Sequence, residues 1–279
     1  MTSRARTGEE LATNGRCRAE LDARALALRA LRDAGVPFVV AGAYAFFEYT
    51  GQFRDTKDLD VFLEEQDLEQ AFEALERAGF RTELTDPGWI GKAYAGEYFV
   101  DLIFSSGNGL AVVDPEWFTH AREGLVMGVP VLLAPPEEII WSKAFVCERE
   151  RYDGADVANL VRAVGDELDW RRLLRRFGPH WQVLFAQLSH FLYVYPSDRS
   201  KVPGWLLAEL CGRTLAEHAQ GDWERPVCRG LLLSKVQYRH ALDQLGYEDW
   251  RRFEDGGRIL GREASDGGEP EDLPAGGGR

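Results

Sequence analysis

Cysteine is scarce in this 279-residue chain, and Cys17, Cys147, Cys211 and Cys228 stand far apart. None forms a Cys-x-x-Cys pair or has a histidine at ligand spacing, so neither a zinc site nor a disulfide framework is supported, and reduced, packed thiols are expected. Long apolar runs are missing too: the longest, Val36 to Phe47, is too short to cross a bilayer. Arg4 and Arg6 are not followed by an apolar segment, so no secretory leader is expected and the chain reads as cytoplasmic. Basic residues are outnumbered, 33 Lys and Arg against 46 Asp and Glu, for a formal charge of −13. Such a field disfavours non-specific contact with DNA or anionic membrane. His120, His180, His190, His218 and His240 occur singly, without a triad-like context, and there is no internal repeat.

What the chain does have is enough apolar material, 45% of residues, to bury a core of ordinary size. Residues 1–16 are polar and aperiodic and are expected to be disordered. From Cys17 to Asp33, Leu21, Ala25, Leu28 and Leu31 recur at helical spacing, with Arg24, Arg29 and Arg32 expected off that face. Gly35 and Pro37 stop the helix and deliver the chain into Phe38 to Ala41, a short β-branched run that suits a buried strand. Asp67-x-x-Gln70 reads as a capping box for a helix ending at Gly79, Phe80 to Leu84 as a strand, and Asp86-Pro87-Gly88 as a turn. Ser105 to Gly109 reads as a hairpin turn returning through Leu110 to Val113, and Val126 to Leu133 as one last strand. Pro135-Pro136-Glu137-Glu138 begins a helix, with acids at its positive end. Trp170 to Phe177, Trp181 to Tyr195, Trp205 to His218 and Gly230 to Leu245 all read as helical. Arg171, Arg172, Arg175 and Arg176 form a basic cluster, either a solvated face against neighbouring acids or a surface for an acidic acceptor such as RNA. The tail, 254–279, carries seven acids and three bases, has nothing to bury and is expected to be disordered.

Phe38 to Leu63 organises the rest. Gly42-Ala43 turns the first strand into a helix start, whose backbone N–H groups are donors suited to phosphate oxygens. Asp58 and Asp60, two apart in a period-two run, project from one face of the next strand, held in the core by Leu59, Val61 and Phe62. Two fixed carboxylates on one face suit a hard divalent cation, above all Mg²⁺ carried in by a triphosphate.

Ala41-Gly42-Ala43 followed by Arg54-x-Thr56-x-Asp58-x-Asp60 resembles the opening motif of the nucleotidyltransferase superfamily. The resemblance implies an α/β (α+β) fold: a small mixed β-sheet core, here 17–134, followed by a helical domain, here 135–253. It implies transfer of a nucleoside monophosphate from an NTP, ATP among them, to a hydroxyl acceptor with release of pyrophosphate. The acceptor classes it allows are a small molecule, a tRNA end and a protein side chain. It also implies nucleotide contacts from Gly42, Ala43, Arg54 and Thr56, and metal ligation by Asp58 and Asp60. A third carboxylate on a neighbouring strand completes such a site and can act as base. Asp101, inside the apolar run Tyr98 to Phe104, fills that place, since a buried carboxylate needs a partner. Lys143, Ala144, Arg151, Asp153 and Asp156 further resemble the AbiEii-like, abortive-infection toxin branch. This implies Lys143 and Arg151 on phosphates, Asp153 or Asp156 in positioning or base work, and an antitoxin as a possible partner. Residue by residue, the alternatives are an ion-paired helix face for Lys143 and Arg151 and a helix N-cap for Asp153. Many relatives carry Gly-Ser or Gly-Gly where this chain has Gly42-Ala43, which keeps open a catalytically silent nucleotide-binding or partner-binding module.

Overall fold

The computed structural model describes residues 18–53 and 56–253. The expected disordered ends, 1–16 and 254–279, and the expected nucleotide contact of Arg54 lie outside the described residues.

Helix α1 (Arg18–Asp33) buries Leu21, Ala25, Leu28 and Leu31 as its spacing requires. Arg24 is also buried, against the expectation, because it lies three residues after Leu21 and four before Leu28, on the same stripe. Its guanidinium donates to the Tyr44 hydroxyl (2.9 Å) and the Thr56 carbonyl (3.4 Å) and pairs with Glu20 (2.6 Å). Strand β1 (Val39–Val40) turns through Gly42 into α2 (Gly42–Thr50), and β2 (Asp60–Phe62) leads to α3 (Leu68–Arg77). The expected capping box does not form: no side chain caps α3, and the Gln70 amide instead donates to the Ala34 carbonyl of the preceding turn (2.9 Å).

Strands β3 (Arg81–Asp86), β4 (Ile90–Ala95) and β5 (Tyr98–Ile103) form a meander, of which the sequence reading anticipated the first and third. Leu110 to Val113 is not a strand. The Asn108 side chain accepts from the Leu110 amide and donates to the Leu232 carbonyl (2.8 Å), which ties this turn to the helical part instead of closing a hairpin. After α4 (Pro115–Thr119), the single strand expected at Val126 to Leu133 is a hairpin, β6 (Arg122–Val126) and β7 (Val129–Leu133). Met127 and Gly128 both have positive φ, 51° and 72°, as a two-residue turn between twisted strands demands.

The seven strands make one mixed sheet in the order β3-β4-β5-β2-β1-β7-β6. The pairs β2–β5 and β1–β7 are parallel and the others antiparallel. The fold is thus α/β, a central mixed sheet with many helices. Helices α5 (Pro136–Ala144), α6 (Gly154–Val164), α7 (Trp170–Phe177), α8 (Trp181–Val194) and α9 (Gly204–Gln220) follow. The helix expected over Gly230 to Leu245 is shorter, α10 (Arg239–Gln244), flanked by a small parallel pair, β8 (Val227–Cys228) and β9 (Glu248–Asp249). α6 packs on α5, α8 and α2 at once, and the apolar core is continuous from Ala25 to Trp250. No helix among the described residues is long and apolar enough to cross a membrane.

The arginines of α7 divide. Arg172 faces inward, paired with Glu137 (2.6 Å) and Glu138 of α5, and Arg176 bridges Glu138 (3.1 Å) and Asp114 (2.5 Å). Glu137 and Glu138, expected at the helix start for its dipole, are buried partners of these cations. Arg171 stays exposed and lies over the Trp205 ring (4.6 Å). A buried cation that loses its counter-charge is far costlier than the intact pair is valuable. Glu138→Ala is therefore expected to lower unfolding free energy by about 3 kcal/mol, the low end for a broken buried pair because Glu137 and Asp114 remain; urea unfolding against the parent chain measures it.

Candidate active site

Each acid arrives on a separate constraint. Asp60 opens β2, Asp58 lies two residues before it, and Asp101 is in β5, whose parallel register sets it directly beside Asp60. β5 lies inside the sheet between β4 and β2, so Asp101 is buried rather than on an edge. One carboxylate oxygen from each of Asp58, Asp60 and Asp101 falls within 4.8 Å of the other two. Thr56 braces this group: its hydroxyl hydrogen-bonds the Asp58 carboxylate, and its carbonyl is held by buried Arg24.

Gly42 is where the backbone meets the acids. It has a φ of +57°, and a Cβ built there would lie 1.7 Å from Asp60 Oδ2. Only glycine fits both the conformation and the space. Helix α2 therefore starts against the carboxylates, and no side chain caps its first turn.

Cations surround the acids. Lys92 of β4, opposite Asp101 in register, places Nζ 2.6 Å from Asp101 Oδ1 and lies over the Phe99 ring. Lys143, at the end of α5, is shared between Asp153 and Asp156, each at 2.9 Å, and Asp156 is buried. Arg151 grips Asp153 with two donors, at 3.1 and 3.2 Å. Asp153 sits at the start of α6 without capping it; its side chain serves Lys143 and Arg151 instead. Burial alone would raise the Asp153 carboxyl, but Arg151 and Lys143 hold it below the usual range.

Burial, then the charges of Asp58 and Asp101, push Asp60 up to about 7, with Lys143 and Arg151 pulling the other way. Both cations thus act electrostatically on Asp60. Burial likewise raises Asp101, against the pull of Lys92. Of the residues anticipated from sequence, Asp58, Asp60, Asp101, Gly42 and Thr56 thus converge, and Lys143, Arg151, Asp153 and Asp156 form an adjoining ion-pair cluster. Ala43 follows Gly42 in the uncapped first turn. Lys92 and Arg24 were not anticipated. Alternation in Ile90-x-Lys92-x-Tyr94 ahead of Gly96-Glu97 is the signal that finds the first, and the spacing from Leu21 finds the second.

Chemically, an all-oxygen set of three carboxylates suits a hard divalent cation and is poor for zinc.

Residues 20–177 match the family described as "Nucleotidyl transferase of unknown function (DUF2204)". No curated protein matches the chain. Among solved structures, it is similar to the antibiotic-resistance factor ANT(2'')-Ia, with 16% identity over 63% of this chain and 97% of that one, TM-score 0.44. An antigenic nucleotidyltransferase-like protein from Paracoccidioides brasiliensis shows 16% identity over 66% and 92%, TM-score 0.42. JHP933 from Helicobacter pylori shows 16% identity over 82% and 97%, TM-score 0.36.

Gly42→Ala is expected to destabilise the chain by at least about 1 kcal/mol, from strain at positive φ and collision with Asp60, and to disturb the triad; thermal melting and metal titration read both. The Asp60 carboxyl, raised from 3.8 to about 7, binds a proton in the folded chain that the unfolded chain has already lost. In cation-free buffer its contribution is thus present at acid pH and falls away as pH rises from about 4 to 7. Asp60→Asn removes this dependence and is expected to be more stable than the parent at pH 8, by about 1 kcal/mol or more, as seen in denaturant midpoints at pH 5 and pH 8.

Proposed function

Because this chain belongs to the family of nucleotidyl transferases of unknown function (DUF2204), we propose that it moves a nucleoside monophosphate from an NTP to a hydroxyl acceptor at the Asp58, Asp60 and Asp101 cluster. The observation that carries this reading is the convergence of three carboxylates within 4.8 Å beside an uncapped helix start that only glycine can form. Such crowding disfavours three ionised carboxylates without a cation, and with burial, the larger cause, it raises the Asp60 carboxyl. Asp58, Asp60 and Asp101 would hold Mg²⁺, which supplies charge neutralisation on the triphosphate.

The remaining roles belong to the chain itself. First-turn amides of α2, from Ala43 on, meet phosphate oxygens, an arrangement to which a helix N-terminus lends itself. Thr56 and Arg24 keep Asp58 in place. Arg151 and Lys143 offset charge on the departing pyrophosphate, and Asp156, buried against Lys143, is a positioning residue. Asp101 accepts the acceptor's hydroxyl proton as that oxygen bonds to the α-phosphorus and the bond to the β-phosphate oxygen breaks. The Lys143, Arg151, Asp153 and Asp156 cluster also supports the AbiEii-like branch, within which an antitoxin partner would fit. The acceptor stays a hydroxyl on a small molecule, a tRNA or a protein.

Incubation with each α-³²P-labelled NTP and Mg²⁺, against total tRNA, cell protein and a small-molecule pool, tests the reading. Label is expected in one acceptor fraction, reduced on the order of 10²-fold or more by Asp58→Asn or Asp60→Asn. No transfer, together with no Mg²⁺-dependent thermal protection by any NTP, overturns it in favour of a silent module on the same fold.

A further inference from the structure

Away from the carboxylates, a cavity of about 610 Å³ opens between the start of α8 and the segment 227–247. Its wall is largely apolar and aromatic, with Phe145, Val183, Leu232, Tyr238, Ala241 and Leu245 among the lining residues. At its mouth Tyr238, Leu245 and Tyr247 are exposed. None of the lining residues belongs to the carboxylate triad or its adjoining ion pairs.

Among the described residues, Arg229 is the only Lys, Arg, Asp or Glu in that lining. It is half-buried, donates one N–H to the Pro179 carbonyl (3.2 Å), and lies over the rings of Trp223 (5.1 Å) and Trp250 (5.3 Å). Among the described residues no carboxylate pairs with it; the acid whose charge reaches it, Glu217, is hydrogen-bonded to Gln182 (2.7 Å). Burial accordingly pulls the guanidinium below the usual arginine range. His180, in the same wall, is pushed down to about 4 by burial, packed edge-on to Trp250 (4.7 Å) and Phe145 (5.8 Å). It is neutral at pH 7 and neither adds to the positive charge nor offsets it. A cation with most of its donors unused, set into an aromatic wall, is favourable to a ligand that brings one planar anion and an apolar body.

We propose that this cavity binds a small aromatic monocarboxylate, its rings against Phe145, Tyr238 and Leu232 and its carboxylate on the Arg229 fork. The volume falls in the range of small-molecule sites with an apolar wall and a few placed polar groups. One guanidinium without a paired carboxylate among the described residues suits one negative charge, and its planar geometry matches a carboxylate in two-point contact. The site needs neither a nucleotide nor a metal, so it stands independently of nucleotidyl transfer.

Calorimetry on the full chain with 2-naphthoate and its neutral counterpart 2-naphthalenemethanol tests this. The acid is expected to bind about tenfold or more tightly than the alcohol, the size of a charge-assisted contact. Arg229→Met should bring the two ligands to equal affinity, Arg229→Lys should keep a preference for the acid, and Ala241→Trp, which fills the cavity, should abolish both. Equal binding of acid and alcohol to the wild type, binding of neither, or an unchanged preference in Arg229→Met overturns the proposal. Should Arg229→Met fail to fold, the wild-type comparison and Ala241→Trp still decide it.

Discussion

Like-charge repulsion among Asp58, Asp60 and Asp101 sets the terms for the surrounding chain. Parallel pairing of β2 with β5 forces Asp60 and Asp101 side by side, and Asp58 joins them from the approach to the same strand. Three carboxylates that close, partly withdrawn from water, would not stay ionised unaided. The fold answers with three cations from two sides: Lys92 across the hairpin, and Lys143 and Arg151 from the helical side. None of these fully relieves Asp60, whose affinity for a proton is raised first by burial and then by its two acidic neighbours. Three carboxylates held this close are disposed to take up positive charge.

The helical half matters to that site through geometry more than through direct contact. Lys143 ends α5, whose other end is anchored by Glu137 and Glu138 on Arg172 and Arg176. Asp153 and Asp156 lie at the start of α6, which packs on α2, the helix that begins at Gly42. Arg24 does comparable work from α1, reaching the Thr56 carbonyl in the approach to Asp58.

Several elements were readable because their signals are local. The stripe of α1, the start of α2 at Gly42, the limits of α7 and the turn at Asp86-Pro87-Gly88 follow from spacing and backbone chemistry within a few residues. Other elements turned on competition with distant partners. Gln70 abandoned its cap for Ala34, and Asn108 bonded Leu232 instead of closing a hairpin. Arg172 and Arg176 looked like solvent-facing charge until Glu137, Glu138 and Asp114 were brought against them. Lys92 illustrates the middle ground: the two-residue turn at Gly96-Glu97 fixes it opposite Asp101, yet β4 itself carries weak strand propensity in Gly91 and Ala93.

By itself the sequence determined that Asp58 and Asp60 share a face, because side chains two apart on a strand must, and that a glycine stands at the turn before them. It also determined the alternation of sheet and helix, since periodicity is a property of neighbours along the chain. Only the tertiary structure decided that Asp101 lies beside Asp60, that Lys143 is divided between two acids, and that Arg229 lines an apolar cavity. Those outcomes depend on strand order, register and helix packing. Each joins residues tens of positions apart, and which of them meet is settled by burial of the whole core rather than by any stretch of it.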